Sequence, residues 1–137
     1  MQSVERGQAQ KAWRIIAAST KDNIDAGLGD LWDSGKVNSS QSNQVIYEGK
    51  ELASGMRIFW KVKVWDRKGN GSQWSEPASW RAGILSASEW QAKWIGVDHD
   101  SSPEAMPPAP YFRKTFILEK PVRTAVLYIT ARGLLEP

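Results

Sequence analysis

Residues 57–80 (RIFWKVKVWDRKGNGSQWSEPASW) place two alternating runs on either side of a turn cluster. Ile58, Trp60, Val62 and Val64 alternate with Phe59, Lys61, Lys63 and Trp65, the period of two that gives a strand one core face and one wetter face. Residues 66–72 (DRKGNGS) then hold two glycines and an asparagine, which tolerate the positive φ of a tight reversal. The pattern predicts a β-hairpin. Its returning strand, residues 78–81, follows Pro77, and a proline there suits a strand start or a sheet edge.

Upstream, residues 12–19 (AWRIIAAS) are apolar on both faces, as expected of a central strand buried on two sides. Residues 23–30 (NIDAGLGD) read as a loop, 31–37 (LWDSGKV) as a short strand with a turn, 44–47 (QVIY) as another strand, and 52–55 as the bend into the hairpin. Turn signals recurring about every ten residues favour a β-sandwich. From residue 86 the pattern changes. Residues 86–95 form an amphipathic connector, and 98–110 (DHDSSPEAMPPAP) are polar and proline-rich, as an inter-domain loop is. Residues 111–118 (YFRKTFIL) and 122–130 (VRTAVLYIT) resume strand patterning. The expected organisation is a β-sandwich over 1–85, a linker over 86–110 and the opening of a second β domain over 111–137, cut off after two strands that cannot form a stable sheet alone. Missing strands would leave unpaired edges and a marginally stable or self-associating chain.

At 137 residues, 41% of them hydrophobic, the chain holds one full domain and a piece of another. Eighteen basic residues against fifteen acidic ones give a net charge of +3, scattered through strands instead of massed. Arg57, Lys61 and Lys63 share a strand face, too few charges for the phosphate-tracking groove of a nucleic-acid binder. The absence of cysteine rules out disulfides, thiolate nucleophiles and Cys-ligated zinc. No apolar run is long enough to span a bilayer, and MQSVERGQAQ lacks a signal-peptide core. The expected chain therefore binds neither nucleic acid nor membrane.

His99, the only histidine, lies between Asp98 and Asp100, but adjacent residues of an extended loop point in different directions and do not converge on a metal. Residues 27–30 (GLGD) lack the third glycine of a dinucleotide fingerprint. The sequons at 38–40 and 70–72 are of a length that recurs by chance. No catalytic, cofactor or metal residue emerges. Eight tryptophans either fill a thin core and its domain contacts or stack on sugars, and packing is the favoured reading. Trp65 is the candidate contact, because alternation sets it opposite the core face. It is read as a sugar or domain contact, with a cation–π partner among the neighbouring lysines as the simplest alternative.

Residues 5–19 (ERGQAQKAWRIIAAS), 31–37, 54–83, 90–96 (WQAKWIG) and 110–133, in that order, resemble the N-terminal region of bacterial α-L-rhamnosidases of glycoside hydrolase family 78. The resemblance implies an all-β fold: a fibronectin type III-like, immunoglobulin-like sandwich lacking its first strand or strands, followed by an incomplete jelly-roll segment. Ile58 stands where the family often carries a corner tyrosine, so its hydrogen bond is lost. Residues 134–136 (LLE) replace a Leu-Tyr-Glu that runs on into further strands. The family's two catalytic carboxylates lie in a downstream barrel, and no position here matches them. The implied role is a non-catalytic accessory fragment that needs no cofactor and whose partners are the other domains of the parent enzyme. The alternative is a β-module binding rhamnose-containing glycans, and a third class is an adhesion-type module. For the parent enzyme, a bacterial periplasmic or extracellular location is compatible with the resemblance.

Overall fold

The computed structural model describes residues 7, 9–97, 109–133, 135 and 136, which fall into two units, Met1–Ala87 and Ser88–Pro137. His99 and its two aspartates lie outside the described residues. The first unit is all-β apart from one short helix: β1 (Gln10–Ala18), α1 (Lys21–Asp25), β2 (Trp32–Asp33), β3 (Arg57–Asp66) and β4 (Ala78–Arg81). The strands form one antiparallel sheet in the order β2-β1-β3-β4. β1 is interior, as its doubly apolar pattern predicts, and the post-proline strand β4 lies at the edge.

Directly opposed residues of an antiparallel pair share a face, so the register defines two surfaces. One carries Trp13, Ile15 and Ala17 beside Val64, Val62 and Trp60, with Trp32 across from Ala17 and Trp80 across from Ile58. The other carries Ala12, Arg14, Ile16 and Ala18 beside Trp65, Lys63, Lys61 and Phe59. Each has its own apolar cluster. Ala17, Leu31, Ile58 and Ala82 are buried under Trp32, Tyr47, Leu52, Met56 and Trp60 on the first. Ile16, Ala18 and Ile24 are buried with Phe59 and Trp74 on the second.

The division into a core face and a wet face is therefore corrected. Lys61, expected on the wetter face, is only 8% exposed because Trp74 folds over it, while Trp60, Val62 and Val64 are half-buried. The loop expected over 23–30 is also corrected at its start by α1. Thr20 is extended, and its hydroxyl accepts from the Asn23 N–H at 3.2 Å. This N-cap satisfies one of the free donors of the first turn and drops Ile24 into the second cluster.

Residues 44–47 form no strand. Gln44 has φ 52°, which breaks the extended run, and the Tyr47 hydroxyl donates to the Lys50 carbonyl at 2.8 Å. That bond anchors the crossing loop where Ile58, fully buried, has no hydroxyl to offer.

In the second unit the two expected strands over 111–118 and 122–130 are not formed, and a 3-10 turn, Ala87–Glu89, spans the junction of the units. The alternation is present, but strand backbone needs hydrogen-bonded neighbours, and the described residues of this unit hold no sheet. Their apolar side chains lie open, with Ile117 90% exposed.

Candidate functional site

Trp65 sits near the end of β3, opposite the small Ala12 of β1, which leaves room for the indole. Two ammonium groups lie over its ring: Lys36 Nζ at 4.6 Å and Lys63 Nζ at 5.5 Å from the centroid. Gly71 bridges to Trp65 across the hairpin. A Cβ at residue 71 would stand 2.9 Å from Trp65 Nε1 and 3.1 Å from Lys63 Cε, so the backbone approaches the ring edge as only glycine allows. Trp65 is half-buried, and the cation–π contact weighed from the sequence is the one the geometry displays.

The arrangement continues along the same face. Arg14 Cζ and Lys61 Nζ lie 5.8 and 5.5 Å from the Trp74 ring, and Arg57 Cζ lies 5.1 Å from Phe59. Cations and rings thus alternate from Arg57 to Lys36. What holds Trp74 in place is a hydrogen-bond ladder that uses serine hydroxyls. In the segment leading into β4, Ser75 N–H donates to the Val62 carbonyl at 2.9 Å and Ser72 N–H to that of Val64 at 2.8 Å. The N–H groups of Val62 and Val64 donate in return to Ser75 Oγ and Ser72 Oγ, each at 3.1 Å. Two serines three apart thereby satisfy two β3 amides two apart, and the mismatch frees Trp74 to turn over Arg14 and Lys61. A Ser-x-x-Ser spacing around a tryptophan was the signal for this, and alternation alone does not carry it.

Arg14 on this face has a carboxylate partner. Asp33, on β2, receives Arg14 Nε at 2.9 Å and Nη2 at 2.5 Å, and Gly35 N–H donates to it at 3.0 Å. The Arg14 hydrogen bond holds the Asp33 carboxyl below its ordinary range against a partial desolvation penalty, and the same bond raises the guanidinium. Among the described residues, no ion pair joins Lys36, Lys61 or Lys63 to a carboxylate, and no group of acidic or histidine side chains is placed to hold a metal.

On the opposite face Trp32, Tyr47 and Trp80 form an edge-to-face chain with centroids 5.4 and 6.3 Å apart. Desolvation, then the charge of Asp30, pushes the Tyr47 hydroxyl pKa up, so it stays a donor. Trp13 Nε1 on this face is buried without a hydrogen-bond acceptor.

The profile of the Rha78A-like, N-terminal immunoglobulin domain matches residues 1–86. The chain belongs to that family. This immunoglobulin-like assignment agrees with the antiparallel sheet and with the α-L-rhamnosidase resemblance of the sequence. An α-L-rhamnosidase of Formosa agariphila is 38% identical over 149 residues, covering 95% of this chain but 16% of the relative. The structure of an α-L-rhamnosidase from Dictyoglumus thermophilum superposes with a TM-score of 0.63 at 39% identity, over 72% of this chain and 11% of the other. That of the Streptomyces avermitilis α-L-rhamnosidase complexed with L-rhamnose gives 0.61 at 42% identity, over 70% and 9%. The family member described here thus spans about one sixth of the Formosa relative's length.

Proposed function

We propose that this chain is a non-catalytic accessory part of an α-L-rhamnosidase, with residues 1–85 as its immunoglobulin-like unit, 86–110 as a linker and 111–137 as the opening of a second β domain. Its work is to pack against the enzyme's other domains and position them. The observation that carries the reading is the match itself: nearly the whole chain aligns with a small part of much longer rhamnosidases. The half-buried row of Trp60, Val62 and Val64 supports it, because a neighbouring domain supplies apolar cover.

Stacking of a neutral sugar on Trp65 has less support. Two ammonium groups and Gly71 already occupy that indole, which favours a packing role for it.

The test is a graft. The Formosa enzyme with its matched segment replaced by this chain, and this chain alone, are assayed on an aryl α-L-rhamnoside. The expected result is hydrolysis by the graft and none by the isolated chain. Hydrolysis by the isolated chain refutes the proposal, as does an inactive graft whose unexchanged parent is active.

A further inference from the structure

We infer that the cation–aromatic face of β1 and β3 is a binding site for an acidic saccharide, one carrying carboxylate or sulfate groups, with Lys36 and Lys63 as its anchoring residues. The inference rests on the reading that the chain works within a carbohydrate-active enzyme.

The charge inventory of this face is unbalanced. Arg57, Lys61, Lys63, Arg14 and Lys36 stand on or against it; among the described carboxylates beside it, Asp33 is engaged in a two-point bond with Arg14 and Asp25 of α1 in an ion pair with Lys21. Glu76 acts on Lys21 from the side. Two like charges therefore converge on the Trp65 ring with no anion between them. A lysine held over an indole uses its ring contact for orientation and still has three N–H donors to offer. Lys61 is held more firmly, its stem buried and its charge beside Trp74.

Rings and ammonium groups alternate along the strand. The alternation suits a saccharide chain with anionic substituents: the rings orient the ammonium groups, and the ammonium groups meet the charges. A neutral rhamnoside offers this face nothing for its charges, and the face is too short for the phosphate tracking of nucleic acid.

The test uses the 137-residue chain and its tryptophan indole N–H signals. It is titrated with a glucuronate-bearing oligosaccharide, a sulfated oligosaccharide of equal length, neutral L-rhamnose and inorganic sulfate at matched ionic strength. The expected result is a saturable shift of the Trp65 and Trp74 signals with at least one acidic oligosaccharide, and none with L-rhamnose. The two acidic arms distinguish carboxylate from sulfate recognition. Lys36→Ala and Lys63→Ala are expected to weaken binding at least tenfold each while the unliganded spectrum stays dispersed. Lys36→Arg retains binding.

Absence of binding overturns the inference, as do equal affinity in the alanine variants, shifts confined to other tryptophans, or an equal response to inorganic sulfate alone. The graft assay separates the two readings. An active graft with no oligosaccharide binding removes this inference alone, whereas binding with an inactive graft removes the rhamnosidase reading.

Discussion

Replacing Ile58 by alanine tests whether the first apolar cluster carries the stability of the immunoglobulin-like unit. Ile58 is fully buried and packs with Ala17, Leu31 and Ala82. The substitution removes three carbons, and at roughly 0.8 kcal/mol per buried methylene the transfer loss is about 2.4 kcal/mol. The cavity left where β3, β1 and the crossing loop meet adds to this, for a total of about 3–4 kcal/mol. Small domains start from only about 5 kcal/mol or slightly more. Each kcal/mol moves the midpoint by about 4–8 °C at this size, so the melt falls by at least about 12 °C. Thermal unfolding followed by near-ultraviolet circular dichroism, where the tryptophans report packing, measures it. Ile117→Ala is the matched control, since Ile117 is 90% exposed and its loss leaves the melt in place. If Ile58→Ala melts within 2 °C or so of the parent, or if Ile117→Ala lowers the melt as much, the placement of the core is wrong.

Three further outcomes follow from the geometry. Gly49→Ala sets a Cβ 2.5 Å from the Leu31 carbonyl oxygen and 2.6 Å from Trp32 Cβ, and is expected to destabilise by about 1–3 kcal/mol in urea titration, whereas Gly83→Ala, with nothing within 4 Å, is silent. Ser75→Ala removes the acceptor of the Val62 N–H at an exposed position where water substitutes, so about 1 kcal/mol is lost, together with a change in Trp74 fluorescence as the indole loosens. Acid weakens the fold. Asp33 is held below its ordinary pKa chiefly by Arg14; for Asp30 desolvation pushes upward, and hydrogen bonds from Ser19, Asn23 and its own backbone together bring it below the ordinary value. Groups depressed in the folded state give stability that is present above the ordinary carboxylate pKa of about 3.9 and lost as pH falls through the lowered values. Melting points therefore drop below about pH 4, and Asp33→Asn flattens that decline.

β1 and β3 were legible in the sequence because both are long and alternate, and the sheet edge was legible because Pro77 removes a ladder donor. The helix α1 was not, since one turn of five residues carries no period; its only cue was Thr20 three residues before Asn23. Alternation also overstated 44–47, where Gln44 takes a left-handed φ, and 111–130, whose pattern finds no sheet in the described residues. For the site, alternation placed Trp65 on one face with Lys61 and Lys63, as the register has it. It did not show that Trp74, a residue of the return segment, closes over Lys61, because that contact depends on serine hydroxyls replacing backbone partners.

The packing role is tested most directly by amide hydrogen exchange of residues 58–64 and 111–130, compared between the isolated chain and the graft in the Formosa enzyme. Slower exchange of both segments in the graft is the expected result, as neighbouring domains cover the Trp60, Val62 and Val64 face and pair the open strand-patterned segments. Equal exchange rates in the two proteins would contradict the account.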